Sequence, residues 1–290
     1  MRTAFASAPA SDAASEAARP ADWPDPPVLT RVAMCFTRAL PPLRGSGRLA
    51  LALRRCYRGP EFCRFTVWPG VRMVLNPRDY LGGILVFVPH LYDRWERSAL
   101  VSILRPGDTF VDIGGNIGAY ALWAARLVGP SGRVFAVEAD EQNYRMLLGN
   151  IQASGFQDRV TALNRGVSDR RESLCIYRNE TGNCGGHNFL GRGVPGPVVE
   201  CVPLGEALEA APVTSIRLMK LDIEGFEFRV LEEYFSGSPR VRPDFLLVEI
   251  DGGPAAPGDR VLLRKLMASA GYTVSADGSN TLFRRNDAAA

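Results

Sequence analysis

The chain has 290 residues, of which 46% are apolar and 22% are charged, and these values are typical of a folded globular protein. The formal net charge of +3 is too small to indicate a nucleic-acid partner, so none is expected. No apolar run approaches the ~20 residues that a membrane-spanning helix needs, so no membrane span is predicted.

Residues 1–27 are rich in Ala, Ser, Pro and Asp, and they lack the apolar side chains that would offset the entropy lost on ordering. We expect this segment to be a disordered tail, and it contains no apolar stretch typical of a signal peptide. The six cysteines form no C-x-x-C pair and precede no histidine at zinc-finger spacing. These features predict a reduced, cytoplasmic protein without a metal site.

Residues 28–104 are predicted to form an N-terminal extension of helices and short strands. Broken helical patterns occupy residues 28–58. Residues 62–88 have the apolar and β-branched texture of strands, including the run 84–88. Residues 92–104 keep apolar positions at helical spacing, which predicts a helix.

A basic stretch lies within this extension. Residues 28–72 contain nine arginines and one acid, Glu61. Such a stretch suits an anionic surface or an anionic substrate, and a solvated basic helix face explains it equally well.

Strands alternate with helical patterns from residue 105 onward. The predicted strands cover residues 109–113, 133–137, 160–164, 216–221, 245–250, 272–274 and 281–284. This alternation predicts an α/β fold with a mostly parallel sheet and helices on both faces. The last two strands flank a short turn and must be antiparallel, unlike the six parallel strands of the dinucleotide-binding fold. We expect residues 105–290 to form one ligand-binding domain.

A glycine-rich loop joins the first of these strands to the following helix. It reads Asp112-Ile-Gly114-Gly115-Asn116-Ile-Gly118, and glycines there let the backbone turn sharply and let a ligand approach closely. The helix N-terminus that follows favours an anionic group. Glu138 ends the next strand, where a carboxylate can accept both hydroxyls of a ribose. An adenosine with a small charged tail fits these positions.

Two cofactors match this description. The dinucleotide fingerprint G-x-G-x-x-G needs glycine at its third position for the pyrophosphate, and counting from Gly114 that position is Asn116. Asp112 also favours a cationic ligand such as an ammonium or a sulfonium. S-adenosylmethionine is therefore favoured over a nicotinamide dinucleotide. An NAD-dependent oxidoreductase and a non-catalytic binding protein of the same fold are the alternatives.

The chain resembles the FkbM family of S-adenosylmethionine-dependent methyltransferases. The resemblance rests on the segments PGDTFVDIGGNIGAYALWAARLVGPSGRVFAVEADEQNYRMLLGNI, RGVSD, MKLDIEGFEFRVLEEYF, FLLVEIDG and the terminal GYTV…NTLF. It implies a class I methyltransferase fold, which is Rossmann-like, and usually O-methylation of a hydroxyl on a sugar, a glycan or a secondary metabolite. Residues 28–104 would then cover the acceptor site. The chain departs from the family's usual Ala at Gly115, its usual Pro at Ala139, and its pattern over residues 181–189.

The resemblance also implies positions for the cofactor. The methionine part would be surrounded by residues of the glycine-rich loop, namely Asp112, Gly114, Asn116 and Gly118. Glu138 would hold the ribose. Gly166 and Val167 would line the adenine.

An alcohol acceptor must lose its proton as it attacks, so a general base is expected near the methyl group. Asp222 ends the fourth strand and is the best-placed candidate, although a helix cap or a ligand for the cofactor's ammonium explains it equally well. Glu224 lies two residues further on, where stabilisation of a helix N-terminus is the favoured explanation. His187 is the third candidate, in a glycine-rich segment, and Glu249 could face the acceptor pocket.

Overall fold

The structure is a computed structural model that describes residues 23–41, 46–178, 187–211, 213–249, 257–278 and 280–288. Most of the predicted disordered tail, residues 1–27, therefore lies outside the described residues. The same holds for most of the segment 181–189, whose pattern departs from the family.

Helices and strands alternate along most of the described chain. In chain order they are α1 (Val28–Ala39), α2 (Ser46–Cys56), β1 (Cys63–Trp68), β2 (Val71–Leu75), α3 (Tyr80–Phe87), α4 (Arg94–Ile103), β3 (Thr109–Ile113), α5 (Ala119–Val128), β4 (Arg133–Glu138), α6 (Glu141–Ser154), β5 (Val160–Asn164), β6 (Gly166–Ser168), β7 (Glu172–Arg178), β8 (Val194–Pro203), α7 (Leu204–Glu209), β9 (Leu218–Leu221), α8 (Glu227–Ser236), β10 (Phe245–Glu249), α9 (Pro257–Ser269), β11 (Tyr272–Asp277) and β12 (Asn280–Arg285).

A seven-stranded sheet forms the centre of the fold, in the order β11-β12-β10-β9-β3-β4-β5. Strands β5, β4, β3, β9 and β10 pair in parallel, and β12 runs antiparallel to both β10 and β11. The predicted α/β architecture with a C-terminal antiparallel strand is confirmed. The carboxyl ends of the parallel strands therefore meet at one edge of the sheet, where ligands bind in folds of this kind.

Each face of the central sheet is covered by its own hydrophobic core. One core joins β1, β2, α3, α4, α5 and α6, with Phe65, Leu85 and Leu122 fully buried in it. The other core joins α7, α8 and α9, and Leu231 and Met267 are fully buried there. Two covered faces explain why the central strands are almost uniformly apolar.

Two buried side chains attach the β1–β2 hairpin to α6. Asn150 accepts a hydrogen bond from the Val74 N–H at 2.7 Å and donates one to the Ile117 carbonyl at 2.8 Å. The Ser154 hydroxyl both donates to the Arg72 carbonyl and accepts from the Arg72 N–H. These side chains pair with backbone N–H and C=O groups at the edge of β2, where a further strand would otherwise bind. They fix the hairpin against α6, so it shares one core with the rest of the molecule.

The strand predicted at residues 84–88 is wrong, because this run belongs to helix α3. The Asp79 side chain caps that helix by accepting the Gly82 N–H at 3.1 Å. The helix is buried almost all round, so its sequence lacks the polar face that would reveal helical periodicity. The predicted helix at residues 92–104 is confirmed as α4.

The sequence pattern predicts no strand between residues 164 and 216, but this region contains a second, three-stranded sheet of order β6-β8-β7. In this sheet β6 and β8 are parallel, whereas β7 and β8 are antiparallel. Its strands expose much of their surface, so the alternation that identifies strands is weak.

Candidate active site

A cavity of about 570 Å³ opens at the carboxyl ends of β3, β4, β9 and β10. Its volume lies within the ~300–1,000 Å³ that is typical of small-molecule sites. The predicted site residues that line it are Gly114, Asn116, Glu138, Val167, His187, Asp222 and Glu224. The other three predicted site residues, Asp112, Gly118 and Gly166, lie behind this lining rather than in it.

The glycine-rich loop passes very close to the end of β9. Gly114 has φ of +85°, and a Cβ atom there would lie 1.8 Å from the Asp222 carbonyl oxygen. Only glycine fits this crossing. Gly118 has φ of +94° and a Cβ atom on it would lie 2.6 Å from Leu147 Cδ1, so this glycine serves packing between α5 and α6.

Glu138 presents its carboxylate to the cavity in a fixed orientation. One oxygen accepts the Asn116 N–H at 2.7 Å and the other accepts the Asp140 N–H at 2.8 Å. Burial raises the pKa of Glu138 to about 7, and these two N–H donors oppose the rise. Each oxygen retains a second lone pair, so the group can accept two further hydrogen bonds from a diol.

Asp112 is fully buried in β3, and neither of its carboxylate oxygens has a hydrogen-bond partner among the described residues. Burial raises its pKa to about 7, while the charge of Lys220 lowers it. The register of β3 and β9 places Asp112 directly beside Lys220. A buried carboxylate without hydrogen bonds is a source of negative potential below the loop, which suits a cationic ligand above it.

Lys220 is buried in β9 and forms an ion pair with Asp222, with 2.5 Å between Nζ and Oδ2. The two residues are two positions apart, so they lie on the same face of the strand end. The ammonium group also lies 4.5 Å from the centre of the Tyr120 ring. Burial raises the pKa of Asp222, but Lys220 and Glu249 outweigh this effect and hold it below its usual range. Asp222 is therefore ionised at neutral pH.

Glu249 lies beside Asp222, because β9 and β10 are parallel neighbours that pair Leu221 with Val248. Burial raises the pKa of Glu249 well above its usual range, and its hydrogen bond to Asp222 raises it further. Two adjacent carboxyl groups with one buried lysine thus share their charge unequally, with Asp222 ionised and Glu249 protonated.

Glu224 stands at the cavity in a left-handed backbone conformation, with φ of +53°. Burial raises its pKa to about 8, and the neighbouring charges of Asp222 and Glu227 add to this rise. The loop that carries Glu224 is held by Glu227, whose carboxylate accepts the N–H groups of Ile223 and Gly225 at 2.9 Å each. Glu224 is therefore mostly protonated at neutral pH and is held in place by its loop.

His187 lies on the Glu138 side of the cavity. Its Nδ1 atom is 3.7 Å from Asp140 Oδ2 and 3.5 Å from Asn143 Nδ2. Asp140 is itself fixed, because it caps α6 and accepts two hydrogen bonds from Arg178 at 2.9 and 2.7 Å. Strand β3 separates β4, which precedes Asp140, from β9, which precedes Asp222. The structure thus groups His187 with Glu138, on the opposite side of β3 from Asp222.

Three residues that set the charge or the geometry around the cavity are not among the predicted site residues: Lys220, Glu227 and Asp140. The composition could have identified Lys220. Only two of the chain's 34 basic residues are lysine, and this one lies in an apolar strand. Glu227 had none, because an acid in the first turn of a helix is common. Asp140 is predictable as a helix cap, but its contact with Arg178 depends on a strand that the sequence does not indicate.

The described residues include no group of three or more His, Cys, Asp or Glu side chains arranged to hold a metal ion. None of the described helices is long and apolar enough to cross a membrane.

A family model and several solved structures are similar to this chain. The methyltransferase FkbM domain matches residues 112–274, which is more than half of the chain. Similar solved structures include an S-adenosylmethionine-dependent O-methyltransferase from Thermotoga maritima, with 14% identity, a TM-score of 0.42, and coverage of 67% of this chain and 66% of that chain. Fibrillarin from Aeropyrum pernix, with natively bound S-adenosylmethionine, has 12% identity, a TM-score of 0.41, and coverage of 66% and 73%. A putative O-methyltransferase from Klebsiella pneumoniae has 15% identity, a TM-score of 0.41, and coverage of 88% and 96%.

The sheet order and the family match define a class I methyltransferase fold with a Rossmann-like core. The chain belongs to the FkbM methyltransferase family. It is therefore an S-adenosylmethionine-dependent methyltransferase, so an NAD-dependent oxidoreductase and a non-catalytic binding protein are both set aside.

Proposed function

We propose that this methyltransferase O-methylates a hydroxyl of a small-molecule or glycan acceptor, such as a sugar or a secondary metabolite. The observation that carries the proposal is the ion pair of Asp222 with the buried Lys220 at the wall of the cavity. It provides an ionised carboxylate at the strand end, where an acceptor hydroxyl has to lose its proton.

The cofactor fits the chain's own donor set. Glu138 has free lone pairs for the ribose hydroxyls, and the close crossing at Gly114 fixes the path of the loop that would hold the methionine part. Val167 lines the same cavity on the adenine side. Asp112 contributes its negative potential from behind the loop rather than by contact. When bound, S-adenosylmethionine supplies a methyl group that its sulfonium already activates.

Asp222 accepts the proton of the acceptor hydroxyl as the acceptor oxygen forms its bond to the methyl carbon. Lys220 positions the Asp222 carboxylate and keeps it ionised before the reaction. Glu249 is protonated and donates its hydrogen bond to Asp222, so that carboxylate cannot rotate away from the cavity. The proton therefore moves to a group whose position and charge are set in advance.

Glu224 has a different role from Asp222, because its raised pKa leaves it protonated near neutral pH. As a neutral acid it donates a hydrogen bond that orients the acceptor. Two carboxyl groups with opposite pKa shifts in one cavity divide the work of base and donor in this way.

His187 takes no part in proton transfer in this proposal. Its contacts with Asp140 and Asn143 support a place for it beside the nucleoside, next to Glu138. Burial lowers its pKa, so its imidazole is neutral and can accept or donate one hydrogen bond there.

The N-terminal extension, residues 28–104, supplies the acceptor side of the cavity. Tyr80, Leu81 and Ile84 of α3 and Tyr92 and Asp93 before α4 contribute to the lining. These residues precede the family match at residues 112–274. We therefore propose that the extension determines which acceptor binds. We also propose that residues 105–290 are the cofactor-binding domain of a cytoplasmic enzyme.

A transfer assay with S-adenosylmethionine tritiated on the methyl group tests the proposal. The full chain is incubated with fractionated hydroxylated metabolites and oligosaccharides, and labelled products are then treated with alkali. A methyl ether survives alkali, whereas a methyl ester releases volatile labelled methanol. We expect alkali-stable label, and label recovered only as methanol or as an N-methyl product would refute O-methylation.

Two substitutions separate the proposed roles. Asp222→Asn should reduce turnover at least a hundredfold, with little change in the affinity for S-adenosylhomocysteine measured by calorimetry. Glu224→Gln retains a hydrogen-bond donor and should keep most of the turnover near neutral pH. Full turnover by Asp222→Asn with unchanged cofactor affinity would remove Asp222 from the role of base.

A further inference from the structure

Helix α1 exposes an apolar face. Val28, Leu29, Val32 and Phe36 are 63%, 84%, 61% and 64% exposed, and their spacing places them in one stripe along the helix. Surface helices usually turn their apolar residues inward, whereas α1 packs only Ala33 and Met34 against the core among its described residues and leaves this stripe exposed.

The polar side of α1 holds the helix on the protein. Thr37 is buried and donates to the Phe87 carbonyl at 2.5 Å. Arg38 donates to the carbonyls of Val86 and Thr66 at 2.8 and 2.7 Å. Because these bonds fix the rotation of the helix, the apolar stripe cannot turn inward without breaking them.

Arginines supply every charge in the sequence around this stripe between the two flanking acids, Asp25, which pairs with Arg64, and Glu61. Residues 28–60 contain no acid, and their exposed arginines among the described residues include Arg31, Arg48, Arg55 and Arg58. Arg31 lies within α1, and both α1 and α2 pack against α3. An exposed apolar stripe with arginines beside it is the pattern of a helix that lies in the interface of a negatively charged membrane.

We propose that α1 is a docking surface for an anionic lipid bilayer. The Leu29, Val32 and Phe36 side chains enter the boundary between headgroups and acyl chains, and the arginines contact the anionic headgroups. Neither part is sufficient alone, since a short apolar stripe binds weakly and surface arginines are screened by salt.

Two other occupants fit the face less well. Residues 1–22 contain only Met1 and Phe5 as large apolar side chains, so they offer little to cover the stripe. A second copy of the chain would bring arginines against arginines, and four side chains cover far less than the ~800 Å² per partner of a stable interface. Charge complementarity therefore favours lipid over protein.

This position has a consequence for the active site. Helix α3 carries α1 on one side, through Val86 and Phe87, and lines the cavity through Leu81 and Ile84 on the other. A bilayer docked on α1 would lie behind the wall that we assign to the acceptor.

Vesicle co-sedimentation of the full chain tests the docking surface. The vesicles are pure phosphatidylcholine or phosphatidylcholine with 30% phosphatidylglycerol, each at 0.05 and 0.5 M salt. We expect binding to the anionic vesicles that is about tenfold or more stronger than to the neutral ones, and that falls at high salt. The triple variant Leu29→Ser, Val32→Ser, Phe36→Ser should weaken it by about tenfold or more.

The matched control is the double variant Val194→Ser, Val198→Ser, which removes two exposed apolar side chains from β8. It should bind vesicles as the natural chain does. A thermal shift with S-adenosylhomocysteine shows that each variant is folded. Equal binding to neutral and anionic vesicles, unchanged binding of the triple variant, or a dimer that the triple variant dissociates without any vesicle binding would each overturn the proposal.

Discussion

Lys220 is the residue on which the charge balance of the active site depends. It is buried among Asp112, Asp222 and Glu249, and its charge balances that of the ionised Asp222, with which it forms an ion pair. Its own pKa is raised, because the attraction of these carboxylates outweighs the cost of burial. Removing one partner of a buried ion pair leaves the other uncompensated, which is far more costly than losing a surface pair.

Lys220→Met should therefore change both stability and pH dependence. We expect the free energy of unfolding to fall by roughly 3–5 kcal/mol, measured by urea denaturation. Without the ammonium group the pKa of Asp222 rises, so the acidic limb of the rate profile should move to higher pH.

The chain provides its own control for this change, since the other lysine, Lys265, is exposed on α9. Lys265→Met should leave both stability and the rate profile unchanged. A Lys220→Met protein with natural stability and an unshifted acidic limb would contradict the assigned role of the ion pair.

The residues that we assign to the cofactor can be predicted from the sequence, because they follow one another in a strand, a loop and the end of the next strand. Asn116 and Glu138 are an example, since the contact between them joins adjacent strands. The catalytic group is harder to predict. The Asp222 environment depends on Lys220, Glu249 and Asp112 from three strands, and the sequence does not state which strands are neighbours. His187 was predicted as a catalytic residue, and this stays a prediction; its contacts with Asp140 and Asn143 lie on the Glu138 side of the cavity, and for this reason we propose a different role for it.

At the scale of elements, the β3–α5 loop distinguishes two adjacent glycines. A Cβ atom on Gly114 would meet the Asp222 backbone at 1.8 Å, where neither strand end can yield. A Cβ atom on Gly115 would lie 3.3 Å from Ala136 Cβ, which a shift of a few tenths of an ångström relieves. Gly115 also has no left-handed backbone strain.

Gly114→Ala should abolish binding of S-adenosylhomocysteine and lower the melting temperature, whereas Gly115→Ala should keep affinity within about threefold. Calorimetric titration of both variants checks this pair. If Gly114→Ala binds normally, the close crossing of the loop and β9 is not required for the cofactor.

Helix α3 shows where pattern reading of elements fails. Its run of residues 80–87 is apolar on all sides because it is enclosed by α1, α2, β1 and the cavity. Burial on every side removes the periodicity by which a helix is recognised, and the β-branched residues Ile84 and Val86 then favour a strand. The confirmed elements α5 and α6 begin at a glycine and an aspartate that mark their starts locally.

At the scale of the whole molecule, the sequence pattern predicted the strands of the seven-stranded central sheet but not those of the three-stranded sheet β6-β8-β7. The large sheet buries both faces, so its strands are apolar and bounded by clear turns. The small sheet leaves Val194 and Val198 exposed, and its pairing depends on contacts across the segment 179–186. Burial therefore determines which parts of this fold a sequence reveals.

The buried carboxyl groups also make the stability of the ligand-free protein depend on pH. Burial raises the pKa of Asp112, Glu138 and Glu227 to about 7 and that of Glu224 to about 8. In the unfolded chain such groups have pKa values of about 4. Each therefore stabilises the folded state at low pH, and this contribution is lost as the pH rises through the folded-state pKa.

We expect the free energy of unfolding to fall between pH 5.5 and 8, by at most about 1.4 kcal/mol per pH unit for each of these groups, and to fall more slowly above pH 8, where Glu249, whose pKa burial raises to about 10, still loses its proton. The lowered pKa values of His90 and His187 act in the opposite direction, but only below about pH 6.5. Asp222 has a lowered pKa, so its contribution is complete before this range begins.

Urea denaturation at four pH values measures the slope of the free energy of unfolding against pH. Glu138→Gln should make it shallower, and Asp287→Asn, which changes a fully exposed carboxylate, should leave it unchanged. A free energy of unfolding that rises across this range would show that these carboxyl groups are ionised at low pH in the folded protein, contrary to the burial described above.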